Sequence, residues 1–313
     1  LLQADKTGMS NQDRYRIFSE QHDLPPCFQP WWLDAVCGEE RWDAAIADGP
    51  EARVRAVWPW YRTRRLGLPV VLSPPFTSYG GPWLVAGNSG SSSKYTAEYK
   101  IYTQLIAQLP KVLFFRQNLH PDRRNWLPLY WAGFRETVRY TYRLHPDTIL
   151  DRLWMGFFPS LRSHLRKAEK MVYIGRDDTA LDILWMLNAA SWGRQGLRQP
   201  HSIHTLRKLH QALQQRGHSA LWLAHCTGSQ KPIAALYLVY DNHSAGVVIT
   251  GAGEKGRATA ALSALYCEAI RFAFEKGLVF DFEGSMHPGI ERAFRAFNAH
   301  LTPYHQIYKW GPG

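Results

Sequence analysis

Apolar positions recur along this chain with two different periods, and each change of period marks an element. The run WWLDAVC (31–37) is short and amphipathic, and the turn-rich segments GEER and DGPEA (48–52) follow it. RVRAVWPWY (53–61) alternates Val54, Ala56 and Trp58 against Arg53, Arg55 and Val57, which predicts a strand. LGLPVVLSPP predicts another strand that its prolines stop. Tyr79-Gly80-Gly81-Pro82 reads as a loop, NSGSSSK (88–94) as a surface turn, 94–108 as a helix and 113–116 as a strand. From 129 to 147 an aromatic turn leads into the alternation Val138, Tyr140, Tyr142, Leu144, which ends at His145-Pro146.

Beyond that proline the pattern changes. PSLRSHLRKAEK (159–170) puts Leu161, Leu165 and Ala168 at helical spacing while Arg162, Arg166, Lys167 and Lys170 project elsewhere. A solvated face and a phosphate site both explain that cationic side. Helices near 179–192 and 202–216 precede three strand-like runs, SALWLAHC, IAALYLVY and AGVVIT, joined by turns short enough for hairpins. GAGEKGR then opens a helix over 258–276, with Leu262, Leu265, Ala269 and Phe272 on one stripe and Gly277 as its stop. LVFDF, PGIERAFRAF and PYHQIYKW follow as strand, helix and strand. The 313 residues fit about two domains at roughly 150 residues each, with the boundary at 146: an N-terminal domain over 1–146 and a C-terminal domain over 147–313. Residues 1–12 read as disordered, Met9 is a candidate start, and whether 1–8 are native is left open.

Composition narrows the class. Hydrophobic residues at 45% and charged residues at 20% indicate a globular chain and exclude disordered, collagenous and coiled-coil classes. No apolar run reaches the ~18 residues of a membrane span, and the polar opening segment lacks the core of a signal peptide. Cys27, Cys37, Cys226 and Cys267 form no CxxC pair, so the expectation is a reducing cytoplasm without a zinc knuckle or redox dithiol. Lys and Arg at 37 against Asp and Glu at 26 give a net charge of +11, which suits a nucleotide cofactor, RNA, anionic lipid or a phosphorylated wall precursor, and equally suits simple solubility. His201, His204 and His210 lack a carboxylate or cysteine to complete a metal set. Glu283-Gly284-Ser285-Met286-His287 lacks the first glycine of a nucleophile elbow, and no P-loop lysine motif is present.

Residues 251–256 spell Gly-Ala-Gly-Glu-Lys-Gly between a strand and a helix, with Asp281 and Glu283 after the next strand. A dinucleotide-binding reading would place a pyrophosphate on the glycines and a ribose on a later acid. The antiparallel context argues against it, because that fold needs parallel strands with helical crossovers. A meander, a glycine-rich turn, a long helix, a strand and a final helix-strand pair follow instead the order of an N-acetyltransferase (GNAT) domain, where the same phosphate physics serves coenzyme A. FDFEGSMHPGIERAFRAFNAHLTPYHQIYK (280–309) closely resembles the end of FemAB-like proteins and the related BioF2-like acetyltransferase domains, and RSHLRKAEK (162–170) resembles their basic helix. The resemblance implies an α/β (α+β mixed) fold of two tandem GNAT-like domains, each a mostly antiparallel mixed sheet flanked by helices. It implies transfer of an acyl or aminoacyl group to an amine, from acyl-CoA or from aminoacyl-tRNA to a peptidoglycan precursor. No heptad run marks the inserted helical arm of the tRNA-dependent members, and Asn298-Ala299 stands where the family has Gly-Gly.

Amide formation needs a deprotonated amine and a stabilised oxyanion. Glu283 and Asp281 are the candidates for polarising and orienting the amine, since alternation puts them on one face of a strand end. The structural alternative makes one of them a cap for backbone donors. Ser285 or Tyr304 would return a proton to the leaving group. Gly251, Gly253, Lys255, Gly256, Arg257 and Ala258 would hold the donor, with Lys255 or Arg257 neutralising its phosphate. Arg194 and Gln195 in the loop after Trp192, with Arg162 and Arg166 on the basic helix, are the substrate-binding candidates. No metal and no permanently bound cofactor are expected. Acyl-CoA is the expected co-substrate, with aminoacyl-tRNA as the alternative and the only reason to expect nucleic acid. A binding protein that kept the fold and lost the chemistry is the competing class.

Overall fold

Both alternating stretches between residues 53 and 72 form strands, joined by a turn in which Leu66 and Gly67 take φ of 50° and 79°, the conformation that matches the twist of a hairpin. The computed structural model describes residues 8–50, 53–85, 91–146 and 150–311. They belong to two compact units, Leu1–Arg139 with Pro303–Gly313, and Tyr140–Thr302. Residue 146, where the sequence places the boundary, lies inside the second unit.

In chain order the first unit contains α1 (Asn11–Gln21), α2 (Pro30–Cys37), β1 (Trp42–Asp48), β2 (Val54–Arg65), β3 (Leu68–Leu72), β4 (Trp83–Leu84), α3 (Ser91–Ala107), β5 (Phe114–Asn118) and α4 (Leu127–Trp131). The expectation of disorder through residue 12 is corrected at α1, whose first turn Ser10 caps by accepting the Asp13 N–H at 3.1 Å. Residues 1–7 lie outside the described residues. So do 88–90 of the expected surface turn, while 91–94 open α3. β6 (Arg135–Leu144) leads from the first unit into the second, and the last strand, β12 (His300–Trp310), leads back. The sequence assigns that last strand to the C-terminal domain. Gln306–Trp310 instead pairs antiparallel with β5, and Ile307 is fully buried beside Trp58, Val71 and Phe115 in the first unit's core.

The second unit continues with α5 (Leu150–Gly156), α6 (Pro159–Met171), β7 (Val172–Arg176), α7 (Leu181–Gly193), α8 (Ile203–Gln214), β8 (Ser219–Cys226), β9 (Pro232–Tyr240), β10 (Ser244–Ala252), α9 (Glu254–Ala258), α10 (Ala261–Glu275), β11 (Val279–Asp281) and α11 (Pro288–Arg295). Strand order is β6-β11-β10-β9-β8-β7, antiparallel except for β10 with β11. The meander is as predicted, and β7 extends it. Alternate residues of β8, β9 and β10, among them Trp222, Leu236 and Ala252, share one core with Leu161 and Leu165 of α6 and Leu265 of α10. The opposite face meets α7 and α8. The single helix expected over 258–276 is interrupted at Ala260, whose φ is 55°. Each unit is thus a mostly antiparallel mixed sheet flanked by helices, the class that the sequence predicts.

Candidate active site

β10 and β11 run side by side only from Ser244 to Gly246 against Val279 to Asp281. β11 stops there, while β10 continues along β9 with a register shift between Val247 and Ile249 that leaves Val248 without a partner. Such a bulge bends a strand and ends its regular pairing. Pairing with β11 is lost just beyond Gly246, where the turn following β11 begins.

Asp281 fixes that turn. The residue is 4% exposed. Oδ1 accepts from Thr141 Oγ1 at 2.6 Å and from the Glu283 N–H at 2.7 Å, and Oδ2 accepts from Arg143 Nε at 2.8 Å. A buried carboxylate persists when it is paired in this way. Asp281 therefore acts as the capping member of the acid pair, holding the backbone on which Glu283 stands.

Glu283 takes φ of 57° and Gly284 takes 69°. A left-handed glutamate is uncommon, and the bond from its N–H to Asp281 keeps it there. A Cβ on Gly284 would collide with the Tyr140 carbonyl, so glycine alone allows this passage beside β6. The expectation that alternation aligns Asp281 and Glu283 fails because the strand ends at Asp281 and the left-handed turn redirects the next acid. The half-buried Glu283 side chain lies against Gly246 of β10, with Oε1 in the space a Cβ would fill.

Tyr266 of α10 faces the same place. Burial pushes its phenol up, the negative charge of Glu283 adds to that, and a hydrogen bond with Thr250 opposes it. Its ring stacks on Phe282 at 5.4 Å and packs against Phe294 and Phe297. Gly246, Thr250 and Tyr266 escape the sequence reading because each sits inside an ordinary strand or helix pattern, and only the parting of β10 from β11 unites them. Ser285 lies in the turn itself, where its Oγ accepts the His287 N–H at 3.1 Å. Tyr304 belongs to the first unit, 6% exposed with its ring edge-on to Tyr79 at 5.3 Å.

Over Gly251–Ala258, two glycines serve close packing. A Cβ on Gly251 would collide with the backbone of Leu187 and Asn188 in α7, and one on Gly256 with the Ile233 carbonyl of β9. Gly253 would meet nothing nearer than 3.8 Å, and its N–H donates to the Ile233 carbonyl at 3.0 Å. Arg257 Nη1 donates to the Ala252 carbonyl at 3.0 Å, and Ala258 closes α9. Lys255 reaches the Cys226 thiol. Its hydrogen bond, with those from the Gly228 and Ser229 backbone, pulls that thiol down to about 7.

α7 is tied to the same end of β10. Asn188 Nδ2 donates to the Thr250 carbonyl at 2.6 Å, Ser191 Oγ accepts the Ala252 N–H at 3.0 Å, and Gln199 Nε2 reaches Asn188 Oδ1 at 2.9 Å. The loop carrying Arg194 and Gln195 starts from this anchor. Both residues are exposed, with Gln195 Nε2 donating to the Ser191 carbonyl at 3.1 Å. On α6, Leu161, Leu165 and Ala168 are buried as expected. Arg162 Nη1 donates to the Met155 carbonyl at 2.6 Å, and Arg166 is exposed. Among the described residues no group of three His, Cys, Asp or Glu side chains is placed to hold a metal ion, and no helix is long and apolar enough to cross a membrane.

Residues 157–292 match the acetyltransferase (GNAT) domain family model. No curated protein matches the chain. Among solved structures, FemX matches with a TM-score of 0.68 at 14% identity, covering 94% of this chain and 95% of that one. The structure of L-PGS from Bacillus licheniformis matches with a TM-score of 0.55 at 11% identity, covering 99% and 95%. A tandem GNAT protein from the clavulanic acid biosynthesis pathway matches with a TM-score of 0.50 at 11% identity, covering 96% and 94%. At these identities the likeness is one of fold, and it agrees with the fold that the C-terminal motif implied.

Proposed function

We propose that this chain, which carries a GNAT acetyltransferase domain at residues 157–292, transfers an acyl group from acyl-CoA to an amine with Glu283 as the general base. The observation that supports this most directly is the placement of the Glu283 carboxylate against Gly246, where pairing between β10 and β11 ends. In this reading Glu283 takes a proton as the amine nitrogen attacks the acyl carbonyl carbon. The backbone N–H of Val248, at the bulge in β10, is assigned to the oxyanion. The carbonyl re-forms as the C–S bond breaks, and the departing thiolate takes a proton from Ser285, which regains one from solvent as Glu283 gives up its own. Asp281 positions Glu283.

The donor's phosphates are assigned to the Gly251–Ala258 turn, where Lys255 and Arg257 supply charge and the N-terminal helical turn its N–H groups. Arg194 and Gln195 are assigned to the acceptor, with Arg162 and Arg166 as a second anion-binding face. The four cysteines are free, which suits the reducing cytoplasm expected from the sequence. The test is release of free CoA thiol from acetyl-CoA and longer acyl-CoAs over a panel of amines, alongside donor-dependent shifts in Tm, where a ligand at 100 times its Kd adds roughly 2.7 kcal/mol. A parent chain that binds donor but releases no thiol with any amine would be the silent binding protein instead.

A second reading takes the group from aminoacyl-tRNA and adds it to a cell-wall precursor. The net charge of +11 favours it. It requires tRNA affinity that falls steeply with salt, and flat salt dependence would exclude it.

A further inference from the structure

A second cleft lies toward the opposite end of β11. Leu144 pairs with Phe280, so the residues that follow Leu144 run on beyond the N-terminal side of that strand, whereas Glu283 follows its C-terminal end. Here a cleft of about 310 Å³ is lined by four polar side chains, His145, Arg152, Asn298 and His300. Leu144, Leu153 and Leu301 form its apolar walls, and among the described residues no carboxylate lines it. Its volume is that of a small-ligand site. All four polar residues are exposed. The His145 and His300 rings meet edge to face at 6.0 Å. No side-chain hydrogen bond or ion pair joins any of the four to a described residue.

These groups are rich in donors. A guanidinium presents five N–H bonds in a planar fork, a neutral imidazole presents one and an amide two. Such a set exceeds what the two oxygens of a carboxylate can accept and suits the oxygens of a phosphate. Asn298 is held for this by its backbone, at φ of 55°, and by Gly156 of α5, where a Cβ would come within 2.7 Å of Asn298 Nδ2.

The geometry points to a phosphate-binding site built from Arg152, His145, His300 and Asn298, distinct from the Glu283 site. The phosphate is either free or carried by a small organic ester whose carbon chain meets the three leucines. The test titrates inorganic phosphate and hexyl phosphate into the full chain and follows imidazole resonances assigned with H145Q and H300Q. Saturable shifts of both imidazoles are expected, with affinity about tenfold lower in R152A and reduced severalfold in N298G and in R152K, which keeps the charge but loses the fork. Tighter binding of hexyl phosphate assigns the site to an ester, and equal binding assigns it to the free ion; both support the site. R152A or R152K binding phosphate as the parent does, or acetate saturating the cleft at lower concentration than phosphate, would overturn it.

Discussion

Asp281 and Glu283 stand two positions apart and behave as opposites. Asp281→Asn removes a charge from a buried pair whose side chains are 5% and 13% exposed. Breaking such a pair costs roughly 3–5 kcal/mol, so urea unfolding should show a lower midpoint. Glu283→Gln keeps the shape of a half-buried side chain and should unfold within about 0.5 kcal/mol of the parent, while the rate of acyl transfer falls by about 10²-fold or more. Undiminished turnover in Glu283→Gln would place the base elsewhere. The motif FDFEGS made both acids legible as candidates. Their division of roles was not, because the partners that bury Asp281 come from Thr141 and Arg143, 140 and 138 residues earlier. Cys226 offers a pH test at the same scale. Lys255 and two backbone amides hold its thiol at about 7, below the usual value near 8.5. The thiolate's stabilisation is therefore fully present above the unfolded thiol's pKa and is lost as pH falls through about 7. Thiolate absorbance at 240 nm, taken as the difference from Cys226→Ser, should rise with a midpoint near that value. Lys255→Ala should move the midpoint upward, and an unmoved midpoint would mean that the ammonium is not what lowers it.

At the level of elements, the glycines of GAGEKG were visible in the sequence but their reasons were not. Spacing alone cannot separate a glycine that admits a ligand from one that admits a neighbouring backbone. Gly251 and Gly256 lie against α7 and β9, while Gly253 has ordinary contacts and an extended backbone at φ −70° and ψ 178°. Gly251→Ala should therefore destabilise the protein by roughly 1–3 kcal/mol through overpacking, with no ligand involved. Gly253→Ala should fold as the parent does, so any loss of donor-induced Tm shift in that variant reports the donor. Equal destabilisation by both would assign Gly253 to packing too. The meander was legible for a simpler reason, since its runs alternate and its turns are short. β7 was missed because five residues, Val172–Arg176, directly after a cationic helix carry too little pattern to stand out.

For the whole molecule, the pattern at the C-terminus announced a strand without saying where it would pair, because register and partner depend on contacts distant in sequence. The motif running from Phe280 to Lys309 is continuous in sequence, yet its FDFEGS turn and α11 belong to the second unit while Pro303 onward belongs to the first. In the first unit this strand closes the sheet on β5. There Ile307 is fully buried, His305 pairs with Glu136, and the His305 carbonyl accepts the Leu119 N–H at 2.8 Å. Ending the chain after Thr302 would strip β5 of that partner and leave an unpaired edge. Limited proteolysis read by mass spectrometry should then show faster cleavage within residues 11–139. Ile307→Ala, which leaves the strand in place, should cost about 2–5 kcal/mol through the cavity it creates. A shortened chain as resistant over 11–139 as the full one, together with a neutral Ile307→Ala, would show that the first unit does not depend on the returning strand.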